Sequence, residues 1–301
     1  MIYTVTLNPS LDYIITIDEI NIGKLNETDD YLVLAGGKGI NVSLVLNNLG
    51  IDTIATGFIA GFTGNEIIRQ LDESSCKHDF ITLDKGYNRI NIKLKSKEET
   101  EINAKGPTIS EPNIQSLVQK LSLVTKDDYI VLSGSVPKNL PEDIYQRIMK
   151  EVSNTGAKIV LDTRMKYLEY GLEMKPFLIK PNKDELEEIY DVSIYFKEDI
   201  KKYARKLQQS GAENVLVSLG KDGAMLLDCM GQVHYQNAPQ GKLINSVGSG
   251  DSMVAGFLAG YIQSGGNYLE ALKMGVAAGS ASAFSRFLAT KKEIIELKQQ
   301  I

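Results

Sequence analysis

The chain has 301 residues, 43% hydrophobic and 24% charged, which is ordinary globular composition with enough apolar side chain for a sizeable core. A net charge of −5 offers no footprint for nucleic acid or an anionic membrane surface, and no apolar run approaches the length of a membrane span. Two cysteines without metal-ligand spacing, Cys76 and Cys229, read as reduced thiols. With only His78 and His234 present, zinc sites and histidine-centred catalysis are poor expectations; with no basic leader before the first strand pattern, the expected location is cytoplasmic.

In chain order, residues 2–7 read as a buried strand ended by Asn8-Pro9. The alternating segment 11–20 and the short apolar run 31–34 suit a small exposed sheet. Gly36-Gly37-Lys38-Gly39 is a tight turn into a helix that Gly50 closes. A strand at 53–58 and a helix at 64–71 follow. Residues 89–94 alternate strictly and form a hairpin with 100–103, closed by Gly106-Pro107. A helix at 114–123 precedes a strand at 129–132 that runs into Ser133-Gly134-Ser135. The pattern then becomes regular: helix 141–154, strand 158–161 ending at Asp162, strand 177–179 ending at Lys180-Pro181-Asn182, and helices 184–190 and 198–209. Strand 214–218 leads into Leu219-Gly220, and 224–228 and 233–236 read as antiparallel strands. Helices near 251–263, 267–284 and 290–299 fill the rest. Strands alternating with helices predict an α/β fold, a mainly parallel sheet covered on both faces. The expected division is a core of 1–10, 36–86 and 107–301, with a β-sheet lid of 11–35 and 87–106.

The stretch Asn245-Ser246-Val247-Gly248-Ser249-Gly250-Asp251-Ser252 opens a long apolar helix. Its amides would sit at a helix N-terminus, where donors are free and the dipole favours an anion. Asp251 beside such a pocket can accept a hydroxyl proton while the amides hold a transferring phosphoryl group; the plainer reading is a helix cap. In an open parallel sheet, ligands bind outside the carboxyl ends of the strands. Asn8, Asp12, the Gly36–Gly39 turn, Ser135, Lys180, Asn182, Ser218, Gly220 and Asp251 all fall there. Two glycine turns into helices make two anion sites, as a kinase acting on a sugar phosphate requires, with Lys38 and Arg89 as phosphate-binding cations. Glu185 is either a helix-dipole partner or, with Asn182, a holder of Mg²⁺ through its waters. The dinucleotide spacing Gly-x-Gly-x-x-Gly fails at both turns, which counts against an oxidoreductase.

Thr6-Leu7-Asn8-Pro9-Ser10-Leu11-Asp12, Gly36-Gly37-Lys38-Gly39-Ile40-Asn41-Val42, Arg89-Ile90-Asn91-Ile92-Lys93, Ile179-Lys180-Pro181-Asn182 with Glu185, Val217-Ser218-Leu219-Gly220 and Val247-Gly248-Ser249-Gly250-Asp251-Ser252 occur in order along the chain. Together they resemble the ribokinase-like PfkB carbohydrate kinases, in the 1-phosphofructokinase and tagatose-6-phosphate kinase branch. The resemblance implies transfer from ATP, with Mg²⁺, to a hydroxymethyl group of a ketohexose phosphate. It makes Asp251 the base and the amides of Gly248, Ser249 and Gly250 the anion hole. Asp12, Asn41 and Gly37 would hold the sugar; Lys38, Arg89, Ser135 and Lys24 its phosphate; Asn103 would reach it from the lid. Lys180, Ser218, Gly220, Gly223, Val276 and Ser280 would take the nucleotide, and the lid strands would form a homodimer interface. Glu99-Thr100-Glu101-Ile102-Asn103 and Arg89-Ile90-Asn91-Ile92-Lys93 favour fructose 1-phosphate; tagatose 6-phosphate, fructose 6-phosphate and a non-catalytic sugar-phosphate sensor are the alternatives. Asn26 stands where many relatives carry a basic residue, Asp162-Thr163-Arg164-Met165-Lys166 lacks the usual Ser-Gly pair, and Ser249 replaces Ala.

Overall fold

The structure, a computed structural model, describes residues 1–301 apart from the Met165 side chain. The first half contains β1 (Ile2–Thr6), β2 (Ser10–Thr16), β3 (Tyr31–Gly36), α1 (Lys38–Asn48), β4 (Thr53–Ala60), α2 (Gly61–Glu73), β5 (Ile81–Leu83), β6 (Arg89–Lys95), β7 (Thr100–Asn103), α3 (Glu111–Leu121), β8 (Tyr129–Ser133) and α4 (Ile144–Val152). The second contains β9 (Lys158–Asp162), α5 (Met165–Leu172), β10 (Leu178–Ile179), α6 (Lys183–Tyr190), α7 (Lys197–Gln209), β11 (Asn214–Ser218), β12 (Ala224–Leu227), β13 (Val233–Gln236), α8 (Ser249–Gln263), α9 (Tyr268–Ala283) and α10 (Lys291–Lys298).

Nine strands form one sheet in the order β13-β12-β11-β10-β9-β8-β1-β4-β5. Its strands run parallel from β5 through to β11; β12 and β13 add an antiparallel edge. Successive side chains on a strand point to opposite faces, and both faces here are apolar. Ile130 and Leu132 of β8 join the core under α3, α4 and α7, while Tyr129 and Val131 join the core under α1, α8 and α9. Burial on both sides is why these strands read as unbroken apolar runs. Helix α8 is buried from Asp251 to Gly260, so its sequence is apolar all round rather than striped.

A second sheet has the order β3-β2-β6-β7. It joins two separate insertions, since β2 pairs parallel with β6 while β2–β3 and β6–β7 are antiparallel. The alternation runs opposite to that of an ordinary surface sheet: Ser10, Asp12, Arg89, Asn91 and Lys93 face the cleft beneath. Tyr13, Ile15, Ile90, Ile92 and Leu94 therefore lie on the other side.

Several boundaries differ from expectation. Strand β2 stops at Thr16, short of residue 20, because its pairing with β6 ends there. The three-residue β5 and helix α5 have no counterpart in the sequence reading. Gly171 lies inside α5, where a Cβ would come within 2.3 Å of Leu161 Cδ2. That close approach to β9 overrides glycine's poor helix propensity.

Candidate active site

The carboxyl ends of β1, β8, β9, β10 and β11, the first turns of α1 and α8, and the polar face of the small sheet enclose one cleft of about 1140 Å³. Single small-molecule pockets span roughly 300–1,000 Å³, so this cleft has room for two ligands side by side. The candidate residues from the sequence line it, apart from Gly36 and Gly39 at the two ends of their turn and Lys24, which lies exposed in the connection between β2 and β3. In that connection the Asn26 side chain bonds the backbone of Asn21 and Lys24 and so closes the loop.

At α8, Gly248 is the N-cap with φ 78°, a left-handed conformation open to glycine that turns the chain into the helix beside the cleft. Asp251 does not cap the helix. Its carboxylate, 6% exposed, accepts a hydrogen bond from Asn41 Nδ2 at 2.7 Å. Burial pushes its pKa up to about 6; Asp162 acts in the same direction, while Lys38, Lys180 and the Asn41 bond oppose. Such a group is ionised at neutral pH yet basic enough to take a proton. A Cβ on Gly250 would sit 3.2 Å from Lys180 Nζ, so the bare glycine lets that ammonium lie against the amide turn.

Asp162 is a site residue that the sequence reading placed only as a strand end. It is 2% exposed, and its Oδ1 receives Lys38 Nζ at 3.0 Å with Lys180 Nζ at 3.7 Å. Burial opposes its ionisation, but Lys180 and Lys38 outweigh that and hold its pKa below the usual carboxylate value. The same pair explains Lys38: burial favours its neutral form, while Asp162 and Asp251 together hold the pKa above the ordinary lysine value. Lys38, expected to hold the sugar's phosphate, is ion-paired with Asp162, and Asn41, expected to hold sugar hydroxyls, donates to Asp251; both line the cleft.

On the lid side, Asp12 is the hub. Lys93 Nζ lies 2.9 Å from its Oδ2, and Oδ1 accepts from Ser10 Oγ and Asn91 Nδ2, each at 2.9 Å. The strict alternation of β6 puts Asn91 and Lys93 on the same face as Arg89, which is the signal in the sequence that marks them as cleft residues. Arg89 Nε donates to the Asn8 carbonyl at 3.2 Å. Burial lowers its pKa, and repulsion from Arg164 adds to this against Asp12. Ser135 Oγ is buried in the cleft wall without a hydrogen-bond partner among the described residues. Asn103 lines the rim from β7.

At the other end, Ser218, Gly220, Gly223, Val276 and Ser280 share the wall with Ala238–Gly241, Leu243 and Phe284, which the sequence reading left out. The Pro239-Gln240-Gly241 segment before the glycine turn was the available signal. Asn182 and Glu185 form a reciprocal capping box: Glu185 N donates to Asn182 Oδ1 at 2.7 Å, and Asn182 N donates to Glu185 Oε2 at 2.8 Å. Glu185 thus keeps one oxygen free while facing the cleft.

Phosphoryl transfer to a hydroxyl needs a base next to an anion hole, and one turn of α8 offers both. Comparison with known proteins bears out that class. Residues 5–293 match the pfkB family of carbohydrate kinases, and the chain belongs to that family. It is 44% identical over 301 residues to a 1-phosphofructokinase of Bacillus subtilis, covering 100% of this chain and 98% of that protein. It is 36% identical over 302 residues to a D-tagatose-1-phosphate kinase of Bacillus licheniformis, covering 100% and 98%. Among solved structures, phosphofructokinase-2 of Escherichia coli in complex with substrates and products superposes with a TM-score of 0.92 at 26% identity, covering 99% of this chain and 98% of that one. The protein is a sugar-phosphate kinase, a phosphotransferase with an alcohol group as acceptor.

Proposed function

We propose that the protein transfers the γ-phosphoryl group of ATP to O6 of fructose 1-phosphate, giving fructose 1,6-bisphosphate and ADP. The observation that carries this reading is the end-to-end match to a relative named 1-phosphofructokinase. A second relative, named D-tagatose-1-phosphate kinase, also points to a phosphate on carbon 1. Asp251 accepts the O6 proton as the O6–phosphorus bond forms and the bond to the ADP oxygen breaks. The amides of Gly250 and Asp251, with Lys180, hold the charge on the moving phosphoryl group; the Ser249 amide, expected in the anion hole, instead donates to the Ser246 carbonyl at 3.3 Å. Asn41 keeps the Asp251 carboxylate oriented. Asp12, fixed by Ser10, Asn91 and Lys93, accepts hydrogen bonds from sugar hydroxyls, with Gly37 and Asn103 beside it. Ser218, Gly220, Gly223, Val276 and Ser280 line the nucleotide end.

Mg²⁺ would neutralise phosphate charge at the nucleotide. Asn182 and the free oxygen of Glu185 fit a role in holding its waters, and among the described residues no cluster of three or more acidic, His or Cys side chains forms a cage. That donor set suits a cation carried largely by phosphate oxygens. The apolar outer face of the lid sheet supports a homodimer, with Ile90 40% and Ile102 56% exposed.

A coupled ADP-release assay offering fructose 1-phosphate, tagatose 6-phosphate and fructose 6-phosphate in parallel tests the acceptor. We expect kcat/KM for fructose 1-phosphate to exceed the other two by at least about tenfold, the worth of one well-made charged hydrogen bond. Preference for either 6-phosphate would overturn the assignment of the sugar and keep the chemistry.

A further inference from the structure

We propose that Arg164 is a substrate-phosphate ligand and that, with Arg89 and Ser135, it forms the seat for the acceptor's phosphate. The proposal rests on a sugar-phosphate acceptor and names a residue that the sequence reading had noted only as a departure from a Ser-Gly pair.

Three neighbouring strands of the large sheet, β1, β8 and β9, end side by side at the cleft. Adjacent strands lie about 4.8 Å apart, so groups carried just past their ends fall within one phosphate's reach of long side chains. Past β1, the Asn8 carbonyl holds Arg89 by its Nε, leaving the outer guanidinium nitrogens free. Past β8 comes Ser135, whose Oγ is buried with no partner. Past β9 comes Arg164, in the cleft wall at the N-cap of α5. The loops are stitched together, since Gly134 N donates to the Asp162 carbonyl at 3.1 Å and Thr163 Oγ1 donates to the Gly134 carbonyl at 3.2 Å.

The charge balance distinguishes this wall. Lys93 is paired with Asp12, and Lys38 is tied to Asp162, which it shares with Lys180. Arg89 and Arg164 have no carboxylate within ion-pair distance among the described residues. They also lie close enough for Arg164 to depress the pKa of Arg89. Two unneutralised guanidinium groups and an orphaned hydroxyl facing one space favour a dianion between them, and the planar fork of arginine matches phosphate oxygens.

The test compares wild type with Arg164→Gln and Arg164→Lys. Arg164 makes no side-chain cap bond, so melting temperatures should agree. KM for fructose 1-phosphate should rise roughly tenfold to a hundredfold in Arg164→Gln, the range for losing a charged hydrogen bond. Arg164→Lys should fall between, and KM for ATP should stay within about twofold of wild type. Calorimetric titration with inorganic phosphate, with ADP saturating the nucleotide end, probes the seat without any sugar, so it separates failure of this assignment from failure of the fructose 1-phosphate reading. Phosphate should bind wild type and bind Arg164→Gln at least several-fold more weakly. Equal phosphate affinity in the two proteins, or a KM increase confined to ATP, would overturn the proposal.

Discussion

At the residue scale, the site turns on how burial and neighbours divide labour among its carboxylates. Asp162 and Asp251 are both buried, yet two lysines hold Asp162 ionised while Asp251 is left with the amide of Asn41. Environment thus separates a carboxylate locked between two ammonium groups from one able to take up a proton near neutral pH. A cost follows. The Asp251 pKa in the folded protein is raised from 3.8 to about 6, so its contribution to stability is complete below the unfolded value and is lost as pH rises through 6. Asp251→Asn removes that loss. We expect its melting temperature to exceed wild type by several degrees at pH 7.5, for a cost of up to about 3 kcal/mol at roughly 1.4 kcal/mol per pKa unit. The two proteins should converge near pH 4. Equal melting temperatures at both pH values would contradict the raised pKa. Thermal melts suit this test better than a pH–rate profile, because a phosphate ester also titrates near pH 6.

At the scale of elements, long patterned segments were legible and short or enclosed ones were not. The apolar runs of β1, β8 and β11 and the glycine turns into α1 and α8 stood out because a period or a turn signal marked them. Strand β5 has three residues, too few to show a period. Helix α5 carries an internal glycine that only its packing on β9 explains. The lid shows what periodicity conveys when read fully: in β6, Arg89, Asn91 and Lys93 face the cleft, which leaves Ile90, Ile92 and Leu94 on the opposite face. Exposed apolar strand faces are costly unless covered. We expect sedimentation at micromolar concentration to give two chains per particle, and the double substitution Ile90→Lys with Ile102→Lys to give one. A wild-type monomer under those conditions would rule out the lid interface.

At the scale of the whole molecule, the sheet order decides which distant residues meet. Asn41 and Asp251 are 210 positions apart, and Lys38 and Asp162 are 124 apart, yet each pair is in contact. Motifs in the sequence identified the cleft's members but not their partners, because pairing depends on α1 packing against α8 and starting beside the end of β9. That is why the Lys38–Asp162 ion pair and the Asn41–Asp251 hydrogen bond could not be read from the sequence. The most direct test of the account is the single-turnover rate of Asp251→Asn with ATP and fructose 1-phosphate, set beside its ATP dissociation constant. We expect a fall of about 10²–10⁴-fold in rate, the contribution of a positioned general base, with ATP affinity unchanged. A rate within a few-fold of wild type would contradict it and remove Asp251 from the chemistry.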